Sequence, residues 1–542
     1  MNGPLLLVGA VIFICIILNQ FLEKITIPSL LIFIVIGMIF GENGIFKIYF
    51  NNYEAVNVIC SVCLIFIMFY GGFETNIKVA RPVLPHAAMM STLGVAATAG
   101  GVALAAHYIL SLSWMESFLI GSVISSTDAA SVFNILRSKN LALKYHTDSL
   151  LEVESGSNDP MSFMLTTVAV AIMAGQVPNV AILLIQQIVM GIFFGILLGW
   201  MAVKLLHQDL LPTQQSHTIF LISIMILAYA VPAHFKGNGY LGAYLCGIWI
   251  GNANLPQKKY LIHFFDVLTN VAQFQIFFLL GLLVTPVQLP AVLLPALILM
   301  AALTFVVRPA VSLLLLGPLK ANLSQIAMVS WAGLRGAASI VFAIGAVLSR
   351  VPITYNLYNL VFCMVIMSIS LQGSFLPWVA KKLDMLDLDS DINFTFNHYQ
   401  EDSDISFIKI HLDGTHSWYH QTLEELRLPP ELLVAMILRK DEIIVPTGQT
   451  RLEAGDLMVL AARGFDDREH LVLREIVVEN QKQYCNRTLS EIPQMHDNRI
   501  ILVKRGIDTI IPSGKTQILP GDILIMTKFS PRKMTEKLVE NN

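Results

Sequence analysis

Charge is what this chain lacks. Of 542 residues only 13% are Asp, Glu, Lys or Arg, and 55% are hydrophobic, whereas soluble domains carry about a quarter charged residues. That balance excludes a soluble protein of this length and describes a polytopic membrane protein. Cysteine is scarce too: Cys15, Cys60, Cys63, Cys246, Cys363 and Cys485 fall mostly within apolar stretches, so no disulfide framework is implied. Cys60-x-x-Cys63 spells a redox motif, but inside a helix it reads as small apolar packing. A Thr-Val-Gly-Tyr-Gly filter loop, which a regulated cation channel would need, is absent from the sequence. So is a nucleotide or metal site for a primary pump or membrane enzyme.

Long apolar stretches are plentiful. Crossing roughly 30 Å of hydrocarbon takes about 20 apolar residues, and thirteen such stretches recur, at 4–22, 27–46, 55–73, 82–110, 114–137, 148–175, 178–204, 215–235, 238–255, 264–286, 289–317, 322–349 and 354–380. The first lacks a basic leader region and a small-residue cleavage site, so it reads as a retained helix. With the N-terminus outside, the inner loops hold Lys24, Lys78, Arg81, Arg137, Lys139, Lys144, Lys204, Lys258, Lys259, Lys320, Lys381 and Lys382, and the outer loops only Lys47, Lys236 and Arg350. This twelve-to-three excess fixes the expected orientation in a cytoplasmic membrane, and an odd number of spans puts the C-terminal region in the cytoplasm. The net charge of −3 says little about partners, because most of the surface meets lipid; no nucleic-acid partner is expected.

Composition changes abruptly after residue 382. Asp384, Asp387, Asp389, Asp391, Glu401, Asp402 and Asp404 make an acidic linker over 383–404 that cannot enter the membrane. A soluble region follows and repeats itself: Arg439, Pro446-x-Gly448-x-Thr450 and Gly455-Asp456 return 66 residues later as Arg505, Pro512-x-Gly514-x-Thr516 and Gly521-Asp522. Two small α+β modules are expected, 405–475 and 476–542, with strands near Val434–Leu438, Ile443–Val445, Leu457–Ala461, Ile500–Val503, Thr509–Ile511 and Ile523–Thr527. Ser513-Gly514-Lys515-Thr516 resembles the end of a phosphate loop, but Thr509 stands where that loop needs its first glycine.

The chemistry lies in acids at bilayer depth, where a carboxylate is costly and therefore functional by default. One is Asp159, in Glu152-Val-Glu154-Ser155-Gly-Ser-Asn158-Asp159-Pro160; the other is Asp128, in Ser125-Ser126-Thr127-Asp128-Ala-Ala-Ser131. Beside hydroxyls and amides they make an oxygen-rich site for a small cation. Asp159 is the first choice for a carboxylate that holds either a proton or a cation, and Asp128, Thr127 and Ser155 supply further oxygens. Asn158 either orients the site or binds the ion directly. Glu154 and Arg335 are expected to form a buried ion pair, because an unpaired charge at that depth is intolerable. Arg308 either serves the ends of broken helices or snorkels to the interface. The alternative reading of either acid is a polar residue that only pins helices. Gly191-x3-Gly195-x3-Gly199 marks close helix packing, with a dimer contact as one possibility.

Ser-Thr-Asp in one helix, Glu-x-Gly-x-Asn-Asp-Pro in the next and Gly333-Leu-Arg335-Gly-Ala-Ala-Ser339 near the end resemble the NhaP-type monovalent cation/proton antiporters, relatives of the eukaryotic sodium/proton exchangers. The soluble repeats resemble the TrkA-C (RCK C-terminal) domain. The resemblance implies an α-helical polytopic fold of about thirteen helices over 1–382, with a dimerisation domain and a core of inverted repeats whose two discontinuous helices cross at mid-membrane. The fourth to sixth and eleventh to thirteenth spans would be the triplets. It also implies the cation-binding roles of Asp159, Asp128, Ser155 and the Thr127 carbonyl, a structural role for the Glu154–Arg335 pair, and a more remote acidic contribution from Glu74.

The expected activity is exchange of K⁺, Na⁺ or both for H⁺ by a homodimer, without cofactor or enzymatic chemistry. Electrogenic relatives carry a second Asp where Asn158 stands, which points to one cation per proton. The TrkA-C resemblance favours K⁺ and suggests a regulatory nucleotide or cyclic dinucleotide. No Gly-x-Gly-x-x-Gly domain precedes the repeats, so NAD is not expected there. The alternatives are an RCK-regulated channel and a Na⁺(Li⁺)/H⁺ antiporter without K⁺ preference.

Overall fold

The structure is a computed structural model that describes residues 13, 29–42, 44–47, 52–138, 141–176, 179–208, 214–253, 255, 258–387, 405–412, 414, 418–426, 428, 432–439, 442–463, 472–478, 487–491, 498–505, 508–510, 512 and 514–528. Apart from Phe13, the stretch 4–22 lies outside them. It divides into two units, Met1–Ile392 and Asn393–Asn542.

The other apolar stretches of the first unit fold as helices: α1 (Ser29–Phe40), α2 (Tyr53–Glu74), α3 (Leu84–Leu110), α4 (Trp114–Ile124), α5 (Ala129–Ser138), α6 (Thr147–Met173), α7 (Val180–Leu206), α8 (Gln214–His234), α9 (Gly239–Gly251), α10 (Lys258–Leu283), α11 (Pro286–Leu316), α12 (Leu323–Trp331), α13 (Ala337–Leu348) and α14 (Leu357–Lys382). Side chains that accept from the first turn start many of them: Asn52 for α2, Ser113 for α4, Asn179 for α7, Asn238 for α9, Asn322 for α12 and Asn356 for α14. Two expected spans come as broken pairs, α4–α5 and α12–α13. Each pair lies between two longer helices, and α3, α11 and α14 each contain a π-turn, at Met90–Gly94, Leu303–Val307 and Ser368–Gln372. The same long, broken, long pattern thus occurs over 84–173 and again over 286–382.

Among the described residues seven helices are each long and apolar enough to cross a membrane. Large apolar side chains stand exposed along α7 and α11, among them Ile182, Phe193 and Trp200, and Leu294, Phe305 and Leu314. Water would penalise such faces, whereas hydrocarbon accommodates them. Close packing in the interior depends on glycines. A Cβ on Gly72 would fall 2.2 Å from the Tyr244 carbonyl oxygen, on Gly247 2.2 Å from that of Phe69, and on Gly251 2.0 Å from that of Phe73, so α2 and α9 meet backbone to backbone. The triplet Gly191, Gly195 and Gly199 is also a packing face. Its neighbours are Asn238, Gly242 and Trp249 of the same chain, so α9, and not a second subunit, occupies it. Cys60 and Cys63 lie buried in α2 as free thiols.

The acidic linker begins later than composition suggests. Lys144 donates its amide to the Met385 carbonyl at 2.8 Å, Asp387 donates to Ala142 at 3.0 Å, and Met385 is fully buried. Residues 383–387 therefore belong to the membrane unit, and 388–404 lie outside the described residues.

In the second unit the repeat becomes two four-stranded antiparallel sheets of identical order. One has β1 (Ile405–His411), β4 (Leu457–Arg463), β2 (Leu432–Arg439) and β3 (Glu442–Ile444); the other has β5 (Val472–Val477), β8 (Ile523–Lys528), β6 (Asn498–Arg505) and β7 (Asp508–Ile510). The register shifts between Val434 and Met436 and again between Ile500 and Leu502, the same place in each copy. The expected strands are present, and β1 and β5 are additional. Gly514 and Lys515 sit in a turn that leads to β8, with no helix for a phosphate loop to open. The repeated Arg and Asp pair with each other: Arg439 Nε and Nη2 each donate at 2.8 Å to Asp456, and Arg505 Nε and Nη2 donate at 2.9 and 2.8 Å to Asp522.

Burial alone would raise the Asp456 carboxyl, but hydrogen bonds from Arg439 and the Glu453 amide outweigh it; at Asp522 the Arg505 hydrogen bond dominates. Both carboxyls end below the ordinary value of about 3.9. Their stabilisation is therefore fully present above roughly pH 4 and is lost as pH falls through the lower folded-state values. Arg439→Leu and Arg505→Leu should each loosen its own sheet at neutral pH, with the deficit shrinking in acid. Hydrogen exchange of the β2–β4 and β6–β8 amides checks this, and wild-type protection in both variants at pH 7 would contradict it.

Candidate functional site

The two helix breaks meet. Asp128 donates its amide to the Leu334 carbonyl at 2.8 Å, so the segment between α4 and α5 hydrogen-bonds to the segment between α12 and α13. A Cβ on Gly336 would fall 2.4 Å from the Asp128 Cβ, which makes glycine a requirement of the crossing. The ends of broken helices carry orphan groups and partial charge, and charged side chains meet them. Arg335 Nη1 lies within 2.8, 2.8 and 2.9 Å of the Ile124, Ser125 and Ser126 carbonyls, at the electronegative end of α4. Asp128 accepts from the Ser131 hydroxyl at 2.6 Å and from its amide at 3.4 Å, at the electropositive start of α5. The Arg335 amide donates to Ser368 Oγ at 2.9 Å, Ser368 donates to Gln372 at 2.6 Å, and Gln372 donates to Thr304 at 3.0 Å. This chain ties the second break to the π-turns of α14 and α11.

Asp159 comes to the crossing from α6. It is 5% exposed, and its Oδ1 accepts from the Ser126 hydroxyl. Pro160, inside α6, has no amide proton for the Gly156 carbonyl, which frees the helix from its ladder one turn before Asp159. Ser155 donates to the Thr127 carbonyl at 2.8 Å, and Asn158 donates to the Thr127 hydroxyl. The Asn158 Oδ1 is buried and has no partner among the described residues.

A cavity of about 180 Å³ opens at these groups, lined by Ser126, Thr127, Asp128, Ser155 and Asp159 and, from α2, by Glu74. That is room for several waters at roughly 30 Å³ each, or for a partly hydrated monovalent cation among oxygen ligands. The cavity thus gathers Asp159, Asp128, Thr127, Ser155 and Glu74, while Asn158 stands behind Thr127. Ser126, Glu152, Asp266 and Asn270 line it as well. Ser126 lay unremarked in the quoted motif, and Asp266 is an acid within the tenth span, which the same intramembrane test would have flagged.

The buried ion pair differs from expectation. Glu154 pairs with Arg308, and both are at most 2% exposed. Arg335 is instead occupied by the carbonyls of the first break. Arg308 neither snorkels nor reaches the first break: it lies against Gly333 in the second, where a Cβ would approach its Nε to 3.0 Å. Sequence spacing could not decide which guanidinium reaches Glu154, because both breaks need cationic help and only the fold sets the distances.

Residues 9–382 match the family described as sodium/hydrogen exchanger, transmembrane, and residues 413–464 and 473–527 match the TrkA-C domain. The chain is 38% identical over 388 residues to the K(+)/H(+) antiporter NhaP of Alkalimonas amylolytica, covering 71% of this chain and 67% of that protein. It is 31% identical over 461 residues to the K(+)/H(+) antiporter NhaP2 of Shewanella sp. (strain ANA-3), covering 83% and 80%. Its fold is similar to that of the sodium proton antiporter MjNhaP1 from Methanocaldococcus jannaschii, with 21% identity and a TM-score of 0.59 over 68% of this chain and 97% of that one.

Removing one member of a buried ion pair costs about 3–5 kcal/mol, while replacing both by apolar groups costs far less. Arg308→Leu should therefore destabilise the membrane unit by roughly that amount, and Glu154→Leu/Arg308→Leu should recover much of it. Thermal unfolding in detergent measures both, and a double variant as unstable as the sum of the singles would contradict the pairing.

Proposed function

The chain belongs to the sodium/hydrogen exchanger family, and we propose that it exchanges K⁺ for H⁺, one for one, at Asp159. As a member of that family it is a secondary cation/proton antiporter and not an enzyme. The observation that carries the finer reading is a single buried carboxylate, Asp159, facing an oxygen-lined cavity at the crossing of two broken helices. A proton and a cation compete for that one group, and the competition couples their flows.

The one-for-one count follows from a single competing group: Asp159 is buried and lines the cavity, the buried Glu154 is paired with Arg308, and one proton or one monovalent cation neutralises Asp159. Glu74, Glu152 and Asp266 are each at least partly exposed and act as a mouth that concentrates cations. Two relatives called K(+)/H(+) antiporters and the TrkA-C repeats support K⁺ over Na⁺.

Thr127, Ser155 and Asp128 supply the remaining cation oxygens, Asn158 holds Thr127 in position, and the Glu154–Arg308 pair is structural. The protein works as a homodimer in the cytoplasmic membrane, N-terminus outside. The repeats sit in the cytoplasm and regulate exchange through a nucleotide or cyclic dinucleotide, which can shift the transporter only through different affinities for its states.

Purified protein in liposomes, given K⁺, Na⁺ or Li⁺ separately over a pH series, tests the proposal. Wild type should acidify or alkalinise the lumen as the K⁺ gradient dictates, at an initial rate unaffected by clamping the membrane potential. Asp159→Asn should eliminate exchange, since an amide cannot alternate between proton and cation. Normal exchange by Asp159→Asn would refute the assigned group, and a rate that follows imposed voltage would refute the one-for-one count.

A further inference from the structure

The chain that leaves the membrane unit is fastened to the start of the site helix. Residues 141–146 lie between α5 and α6, and 383–387 follow α14. Lys144 donates its amide to the Met385 carbonyl at 2.8 Å and Asp387 donates to the Ala142 carbonyl at 3.0 Å, so Leu143 and Leu386 face each other as an antiparallel bridge. Met385 is fully buried and Leu143 is buried beside it in the same apolar cluster, which backs the two bonds with apolar contact. The Lys144–Asp384 ion pair at 3.1 Å adds little, because the Asp384 side chain is 93% exposed.

The same loop reaches three other parts of the core. Leu141 donates to the Leu136 carbonyl of α5 at 2.9 Å, and the hydroxyl of Thr147, the first residue of α6, donates to the Lys144 carbonyl at 2.6 Å. Gln325 of α12 donates to the Tyr145 carbonyl at 3.2 Å. Tyr145 and His146 have left-handed backbone, with φ of 61° and 52°, and Asp384 across the bridge does too, at 53°. Residues other than glycine take that conformation at a cost and keep it only where surrounding contacts hold it. From Thr147 the helix runs without interruption past Asp159, a rise of about 18 Å at 1.5 Å per residue, so a shift at its start arrives at the carboxylate.

We propose that the strap formed by 383–387 on 142–144 couples the exit of the chain to the cation site. Fastened, it holds α6 and α12 in the arrangement that gathers the cavity oxygens; released, it lets the left-handed turn relax and α6 shift against the crossing. K⁺ at Asp159 therefore favours the fastened state, and the fastened state binds K⁺ more tightly by the same factor. The chain beyond 387 leads to the TrkA-C repeats, so a force on that chain reaches Asp159 through the strap. This inference rests on the reading of Asp159 as the group that holds the cation.

The Lys144 amide reports the strap directly. In full-length protein in detergent, saturating K⁺ should slow hydrogen exchange of that amide about 5- to 10-fold, and should leave it unchanged in Asp159→Asn. Asp387→Pro removes the amide that bonds Ala142, and its preference for an extended preceding residue suits Leu386 in its bridge. Calorimetry should give this variant a K⁺ Kd raised by the same factor, with Asp387→Ala, which keeps the amide, at the wild-type value. Lys144 exchange that ignores K⁺ in wild type that binds it, slowing that persists in Asp159→Asn, or a wild-type Kd in Asp387→Pro would each overturn the inference. Asp159→Asn that binds K⁺ as wild type does, or wild type that binds no K⁺, would instead remove the assigned site, and this inference with it.

Discussion

A backbone that leaves its helix within a bilayer must find partners for its amides and carbonyls inside the protein, because lipid offers none. The two breaks in this chain meet that demand through one another. Asp128 hands its amide to Leu334, and Arg335 gathers three carbonyls from the end of α4. The rest of the site follows from this crossing. Gly336 is glycine because Asp128 occupies the space of a Cβ, and Arg308 and Glu154 neutralise each other beside the second break. Ser126 and Thr127 present oxygens to Asp159, Ser155 and Asn158 because their backbone is not a helix.

Much of this was legible in the sequence, for a physical reason. Acids are so costly at bilayer depth that Asp128 and Asp159 stand out in any apolar run, and small or hydroxyl-bearing residues around them announce unwound backbone. Gly333–Ser339 announces the second break in the same way. What sequence could not supply was distance. Arg308 and Arg335 are equivalent in one dimension, and only the folded chain gives Glu154 to the former. The glycines of α7 reveal close packing but not whose helix they pack against, and the answer is α9 of the same chain.

The soluble unit was legible through another regularity. The Arg and Gly-Asp positions repeat because each Asp accepts from the same Arg and from the amide three residues earlier, at Glu453 in one copy and Leu519 in the other. A single polar clasp, used twice, fixes two sheets of identical strand order. Strands β1 and β5 escaped notice because the repeated turn residues that anchor the comparison lie away from them. Composition places the linker boundary too early, since Asp384 and Asp387 look like linker although the backbone at 385 and 387 bonds to the loop before α6.

The account centres on one group that holds a proton or a cation but never both. The direct measurement needs no transport: K⁺ is added to purified protein in weakly buffered, K⁺-free detergent solution across a pH series, and released protons are counted. Competition at Asp159 predicts release approaching about one proton per protomer at pH values where the site begins protonated, and none from Asp159→Asn. K⁺ binding by calorimetry with no proton release at any pH, or equal release from Asp159→Asn, would contradict it.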